Sequence, residues 1–215
     1  MKLYGYFRSS AAFRVRIALN LKGLEYDTEL VNLSTGDHLS DDFRRINPQG
    51  RVPALVVDGN VLLQSPAIME YLEETNPTPA LLPKGPEARV RVRAIANIVA
   101  CDIHPLNNLA ILNYLSGPLA ASDDQKTTWY RHWVAEGFNA VEPLLAGSSD
   151  TGKFCHGDIP GIADICLVPQ VFNAQRFGCD LSAYPTIERV FSACMEHEAF
   201  DAAQPSKQPE AANIA

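Results

Sequence analysis

The 215-residue sequence predicts an α/β domain followed by an all-α domain. Three observations point that way. Strand-like and helix-like patterns follow one another in the order βαβ and then ββα over residues 2–74. A stretch bearing Pro77, Pro79, Pro83, Gly85 and Pro86 comes next, a composition suited to an exposed connector. Beyond it the apolar periodicity is helical throughout. The expected boundaries are therefore 1–80 for the first domain and 86–203 for the second, with 204–215, small, polar and proline-bearing, as a frayed tail.

Residues 2–6 form a short strand candidate, and Phe13, Ile17 and Leu21 then recur at helical spacing over 11–21 until Gly23 ends the helix. Residues 26–33 alternate as a second strand. A strand–helix–strand unit of this length implies a parallel pair joined by a right-handed crossover. A polar loop and short helix occupy 34–46. The apolar runs 54–57 and 61–63 flank Asp58-Gly59-Asn60 and predict an antiparallel hairpin. Ser65 at the N-cap and Pro66 at the first helical position open a helix reaching Glu74, with Ile68 and Leu72 facing inward. Further helices are expected over 87–116, kinked at Pro105, and over 124–146, 161–176 and 184–200.

A hydrophobic content of 47% is ample for two cores. The net charge of −7 argues against nonspecific nucleic-acid binding, which needs clustered lysine and arginine, so an anionic ligand must meet a local positive patch. Five cysteines form no C-x-x-C pair, and the chain opens into strand-like residues without a signal-peptide pattern. The expectation is a protein of the reducing cytosol. Charge is expected to interrupt the apolar stretches before the ~20 residues a membrane helix requires, leaving no membrane partner.

The chemistry-bearing positions sit mostly at helix starts. Helix 11–21 begins just after Ser9-Ser10, where unpaired N–H groups and the positive end of the helix dipole favour an anion such as a thiolate. Plain helix capping is the alternative. Gln64-Ser65 repeats the logic with a side-chain amide and a hydroxyl suited to a carboxylate. Between them lies Val52-Pro53, where a cis bond would expose the valine main chain to a ligand. His104, Asn107 and Asn108 surround the Pro105 kink, where a broken helix can aim polar groups into a cleft. Cys101 and His104 stand three apart with no third ligand nearby, so no metal site is expected. Asp164 reads as the third residue of a helix and its cap, with Gly161 leaving half a capping box. Arg14 and Arg16 read as a solvated or salt-bridged helix face.

The segments FRSSAAFRVRIAL (7–19), NPQGRVPAL (47–55) and LQSPAIMEYLEE (63–74) together resemble the zeta class of glutathione transferases. TPALLP (78–83), ADICLVPQ (163–170), NAQRF (173–177) and YPTI (184–187) extend the likeness over nearly the whole chain. The resemblance implies a thioredoxin-like first domain, a helical second domain, glutathione as cofactor and a two-fold homodimer. The implied activity is glutathione-dependent cis–trans isomerisation of maleylacetoacetate, a small dicarboxylate-type substrate, during degradation of tyrosine or another aromatic ring.

By the same resemblance Ser9, or alternatively Ser10, holds the glutathione thiolate. Val52 ahead of a cis Pro53 pairs with the glutathione backbone, Gln64 and Ser65 take the γ-glutamyl carboxylate, and His38 meets the glycyl end. His104 and Asn108 match positions lining the glutathione site, and Arg8 and Arg176 are the candidates for the substrate's charge. One departure is that Ala11 and Ala12 stand where the family commonly begins with cysteine. Related maleylpyruvate isomerases look arginine-rich after the paired asparagines, whereas Leu109 and Ala110 stand here, which favours maleylacetoacetate. Maleylpyruvate, α-haloacids and a purely glutathione-binding role remain the alternatives.

Overall fold

The structure, a computed structural model, describes residues 1–211. The chain divides into two compact units, Leu82–Cys194 forming one, and Met1–Leu81 joined by the residues from Met195 onward forming the other.

The first unit is built on a four-stranded sheet of order β2-β1-β3-β4. Strand β1 (Lys2–Gly5) pairs parallel with β2 (Asp27–Leu30) and antiparallel with β3 (Ala54–Val57), which pairs antiparallel with β4 (Asn60–Leu63). Helices α1 (Ser10–Leu21), α2 (Asp41–Ile46) and α3 (Ser65–Thr75) complete the expected order. Asp58 and Gly59 both hold positive φ, 49° and 82°, the backbone a two-residue hairpin turn requires. Strand β2 is exposed along its length and shorter than expected. Just after it, the Asp37 carboxylate accepts the Asn32 N–H at 3.1 Å and turns the chain away.

Leu3, Phe13, Ile17, Leu55, Ile68 and Leu72 form the buried apolar centre of this unit. Arg14 and Arg16 are buried with them, contrary to the expected solvated face. The cause lies far along the chain. Arg16 Nε donates to Ala203 O at 3.0 Å and Nη2 to Phe7 O at 3.1 Å, while Asn20 Nδ2 donates to Ala199 O at 3.0 Å. Helix α1 is thus covered by helix α9 (Glu198–Ala202) and the residues after it. Loss of hydration pulls the Arg16 guanidinium down to about 10. The same contacts correct the expected boundary at 203 and the expected frayed tail. Pro205 is buried and Gln208 Nε2 donates to Ala202 O and Gln204 O at 3.0 and 2.9 Å. Residues 212–215 of that tail lie outside the described residues.

The second unit holds α4 (Pro86–Asn97), α5 (Leu109–Ser116), α6 (Asp123–Ala146), α7 (Ile162–Arg176) and most of α8 (Pro185–Met195). The single kinked helix expected over 87–116 is instead broken twice. A π-helical stretch over Ile98–Ile103 and a 3-10 turn over His104–Asn107 separate α4 from α5, and Asn108 is extended. By length and composition alone Pro86–Ser116 could cross a membrane, which the expected interruption by charge had missed. Asn108 breaks the helix within that stretch, Val92, Ile95, Val99 and Ile103 are buried within the protein, and 33% of the apolar window is buried.

Gly137 of α6 faces the π-helical stretch so closely that a Cβ there would lie 2.2 Å from Ile103 Cδ1. The helix expected over 184–200 breaks where the His197 side chain accepts the Ala199 N–H and starts α9. Asp164 Oδ2 accepts the Gly161 N–H at 2.9 Å and Oδ1 accepts the Cys155 N–H at 2.8 Å, so the expected half capping box is present. Glu142 caps α8 from outside, its two oxygens accepting the Thr186 and Ile187 N–H groups at 2.9 Å each.

Candidate active site

Sheet register brings the candidate motifs of the first unit together. Tyr4 pairs with Ala54 and Ala54 with Leu63, so the end of β1, the start of β3 and the end of β4 lie in one row. Ser9 follows the first of these, Val52-Pro53 precedes the second and Gln64-Ser65 follows the third. Gly5 pairs with Leu30, so the loop carrying His38 also leaves from that end.

Ser9 is the N-cap of α1, and its Oγ accepts the Ala12 N–H at 3.2 Å. The cap occupies an oxygen lone pair and leaves the hydroxyl proton able to donate to an anion, so capping and anion binding are compatible in one residue. Ser10, the first helical residue, is 4% exposed, whereas Ser9 is half-buried. Arg8 is exposed, with its guanidinium 4.8 Å from the Phe7 ring centroid.

Gln64 holds φ 68°, a left-handed value that a residue with a Cβ adopts only under constraint, immediately before α3. Its Nε2 donates to Gln49 Oε1 at 2.7 Å. Gln49 lies in the 47–55 segment but was not singled out there as a partner of Gln64. Ser65 is buried, and Arg14 Nη1 donates to its Oγ at 3.5 Å, linking α1 to the start of α3. The Val52–Pro53 bond is cis. Asn47 shapes this loop, donating to Arg51 O at 2.6 Å and accepting the Gln49 N–H at 3.0 Å. Gly50, at φ 61°, passes so near His38 that a Cβ would meet His38 O at 3.0 Å. His38 Nδ1 is shielded from solvent without a hydrogen bond, and loss of hydration pulls the imidazole below its ordinary value.

His104, Asn108 and Arg176 belong to the second unit. Asn108 is occupied as a cap, its Oδ1 accepting the Ile111 N–H at 3.1 Å and its Nδ2 donating to Pro105 O at 2.8 Å. His104 is half-buried in the 3-10 turn. Next to it Asn107 Nδ2 donates to Tyr130 O at 3.3 Å, and the Tyr130 ring stacks on Phe177 at 3.8 Å. Arg176, exposed at the end of α7, lies against the same Phe177 ring. Phe177 ends the NAQRF segment without having been singled out there, and Tyr130 lies in no motif and escaped the sequence reading. Among the described residues no group of three or more His, Cys, Asp or Glu side chains is placed to hold a metal ion.

A parallel-then-antiparallel sheet with a serine-capped first helix, a cis proline and a strained residue before the third helix defines a thioredoxin-like unit. Residues 8–75 match the glutathione S-transferase N-terminal domain. The chain belongs to the glutathione S-transferase family. Within that family it is 50% identical to a maleylpyruvate isomerase of Ralstonia sp, over 99% of this chain and 100% of that protein. It is also 50% identical to a maleylacetoacetate isomerase of Pseudomonas aeruginosa, over 98% of each chain. Among solved structures it is similar to the holo form of a zeta-class maleylpyruvate isomerase, with a TM-score of 0.96 over 98% of this chain and 99% of that one. A maleylacetoacetate isomerase of Methylobacterium extorquens with bound malonate and glutathione gives a TM-score of 0.94 at 42% identity, over 97% of this chain and 98% of that one.

Proposed function

We propose that the chain catalyses the glutathione-dependent cis–trans isomerisation of maleylacetoacetate to fumarylacetoacetate. The observation carrying this reading is the meeting of Ser9, the cis Val52–Pro53 bond and the strained Gln64-Ser65 helix start at one end of one sheet. Its likeness over nearly the full length to a maleylacetoacetate isomerase supplies the reaction.

Glutathione carries a carboxylate at each end, peptide groups along its backbone and a thiol between, and the first unit offers a partner for each. Gln64, Ser65 and the first N–H groups of α3 suit the γ-glutamyl carboxylate. The Val52 main chain suits the peptide, and the shielded Nδ1 of His38 suits the glycyl end. When bound, glutathione supplies a thiolate that adds reversibly to the maleyl double bond, making it a single bond about which the substrate rotates before the thiolate leaves. Ser9 donates to that sulfur and favours its charged form. Its half-buried position supports it over the buried Ser10. Ala11 and Ala12 add no donor, so activation rests on Ser9 and the N–H groups of α1. Arg176 suits the substrate carboxylate and Arg8 the negative charge that develops on its carbonyl oxygen. Family likeness supports glutathione-binding roles for His104 and Asn108 as well. That likeness also supports a homodimer, a cytoplasmic location and a place in tyrosine or other aromatic-ring degradation.

Maleylpyruvate is the second reading, favoured by the equal identity to the Ralstonia relative. Leu109 and Ala110, which bring no charge beside Asn108, favour maleylacetoacetate. Purified protein assayed with maleylacetoacetate, maleylpyruvate and dichloroacetate, each with and without glutathione, decides among them. The expected result is conversion of maleylacetoacetate far above buffer and only with glutathione. Turnover of dichloroacetate alone would make it a haloacid enzyme. Glutathione binding with no turnover of any substrate would make it a carrier.

A further inference from the structure

We infer that Tyr130 and Phe177 form an aromatic platform that positions Arg176 for the substrate's carboxylate, a positioning role that rests on the reading of Arg176 given above. The two rings stack nearly parallel, with centroids 3.8 Å apart and planes 12° apart. The Arg176 guanidinium carbon lies 5.0 Å from the Phe177 centroid, within range of attraction to the ring face. Phe177 is pinned at its main chain as well: its N–H donates to Asn173 O at 3.0 Å and its carbonyl accepts Arg131 Nε at 3.0 Å. Tyr130 is the anchored member. It is 2% exposed, its carbonyl accepts Asn107 Nδ2, and burial pushes its phenol up.

The consequence is entropic and geometric. A long arginine side chain on an exposed helix end ordinarily samples many rotamers, and binding a carboxylate must freeze them. A guanidinium resting on a fixed ring has lost much of that freedom beforehand and presents its planar fork in one orientation. Because the carboxylate is held alike in the ground state and the transition state, the platform acts on KM for the dicarboxylate more than on kcat.

The test is a double-mutant cycle on the full chain, with KM and kcat measured for maleylacetoacetate and, separately, KM for glutathione. Phe177→Leu should raise KM for the dicarboxylate roughly 3- to 10-fold, with kcat and the glutathione KM little changed. Phe177→Tyr, which keeps the ring, should restore KM. In an Arg176→Ala background, Phe177→Leu should have no further effect on KM. Equal effects of Phe177→Leu with and without Arg176 would overturn the platform, since the ring would then serve general packing alone. If Arg176→Ala raises KM but Phe177→Leu does not, the platform is also overturned while the reading of Arg176 stands. If Arg176→Ala leaves KM unchanged, the reading of Arg176 fails and the platform falls with it. Should Phe177→Leu unfold, as read by thermal melting, Phe177→Met supplies a non-aromatic side chain of similar bulk, with the same outcomes.

Discussion

Ser9 caps α1 by accepting the Ala12 N–H, which leaves its hydroxyl proton available for the proposed anion. The cap could be read from sequence, since serine before a helical period is a local signal. Whether the hydroxyl also faces a ligand depends on strand register, which joins positions more than forty residues apart and leaves no local mark. Arg14 and Arg16 show the converse. Helical spacing placed them on a solvated or salt-bridged face, and only Ser65 for Arg14 and residues near 199–203 for Arg16 reveal what covers it. His38 carries a prediction of its own. Its neutral form is favoured in the fold, so the unfolded chain, titrating near the ordinary ~6.5, binds the proton more readily. Stability is therefore present above that value and falls as pH drops through the lower folded value. Denaturant midpoints taken between pH 7.5 and 5 should decline, and His38→Gln should flatten part of the slope. An identical slope in the variant would remove His38 as the cause.

Element order and type were legible because periods of two and 3.6 are local properties, and the Asp58-Gly59 turn and the Ser65-Pro66 helix start are local chemistry. The interruption between α4 and α5 was only half legible. Pro105 announced a kink, but the widening to a π-helical stretch begins before it, where α6 approaches through Gly137. An added methyl at Gly137 would collide with the fully buried Ile103. Gly137→Ala should therefore destabilise by about 1–3 kcal/mol although alanine is the better helix former. Thermal or urea unfolding measures this, and a stabilised variant would show that propensity outweighs the clash.

At the scale of the molecule, two long-range devices close the first unit. Lys22 Nζ, buried at the end of α1, meets Glu73 Oε2 at 2.7 Å and the carbonyls of Asn76 and Pro79 at 2.6 Å each, while Glu73 also accepts the Leu81 N–H at 2.8 Å. Lys22→Ala leaves Glu73 buried without its cation and should cost about 3–5 kcal/mol, read from urea unfolding. A loss under 1 kcal/mol would mean that water replaces the cation. The second device is the return of the chain from Met195 onward to cover α1. Neither was foreseen, since a lysine beside Gly23 reads as a surface residue and a small, polar terminus reads as loose. The two-domain class was nonetheless legible, because the switch from mixed to purely helical periodicity needs no knowledge of such contacts.

The central claim is that the end of the sheet holding Ser9 binds glutathione with its thiol activated. Ultraviolet titration of the bound thiolate tests it most directly. The thiol should titrate below the ordinary ~8.5 of a free thiol, and Ser9→Ala should raise that value by about one to two pH units, as expected for a lost charge-assisted hydrogen bond of ~1.5–3 kcal/mol. A bound thiol titrating as in free solution, or unchanged by Ser9→Ala, would contradict the claim.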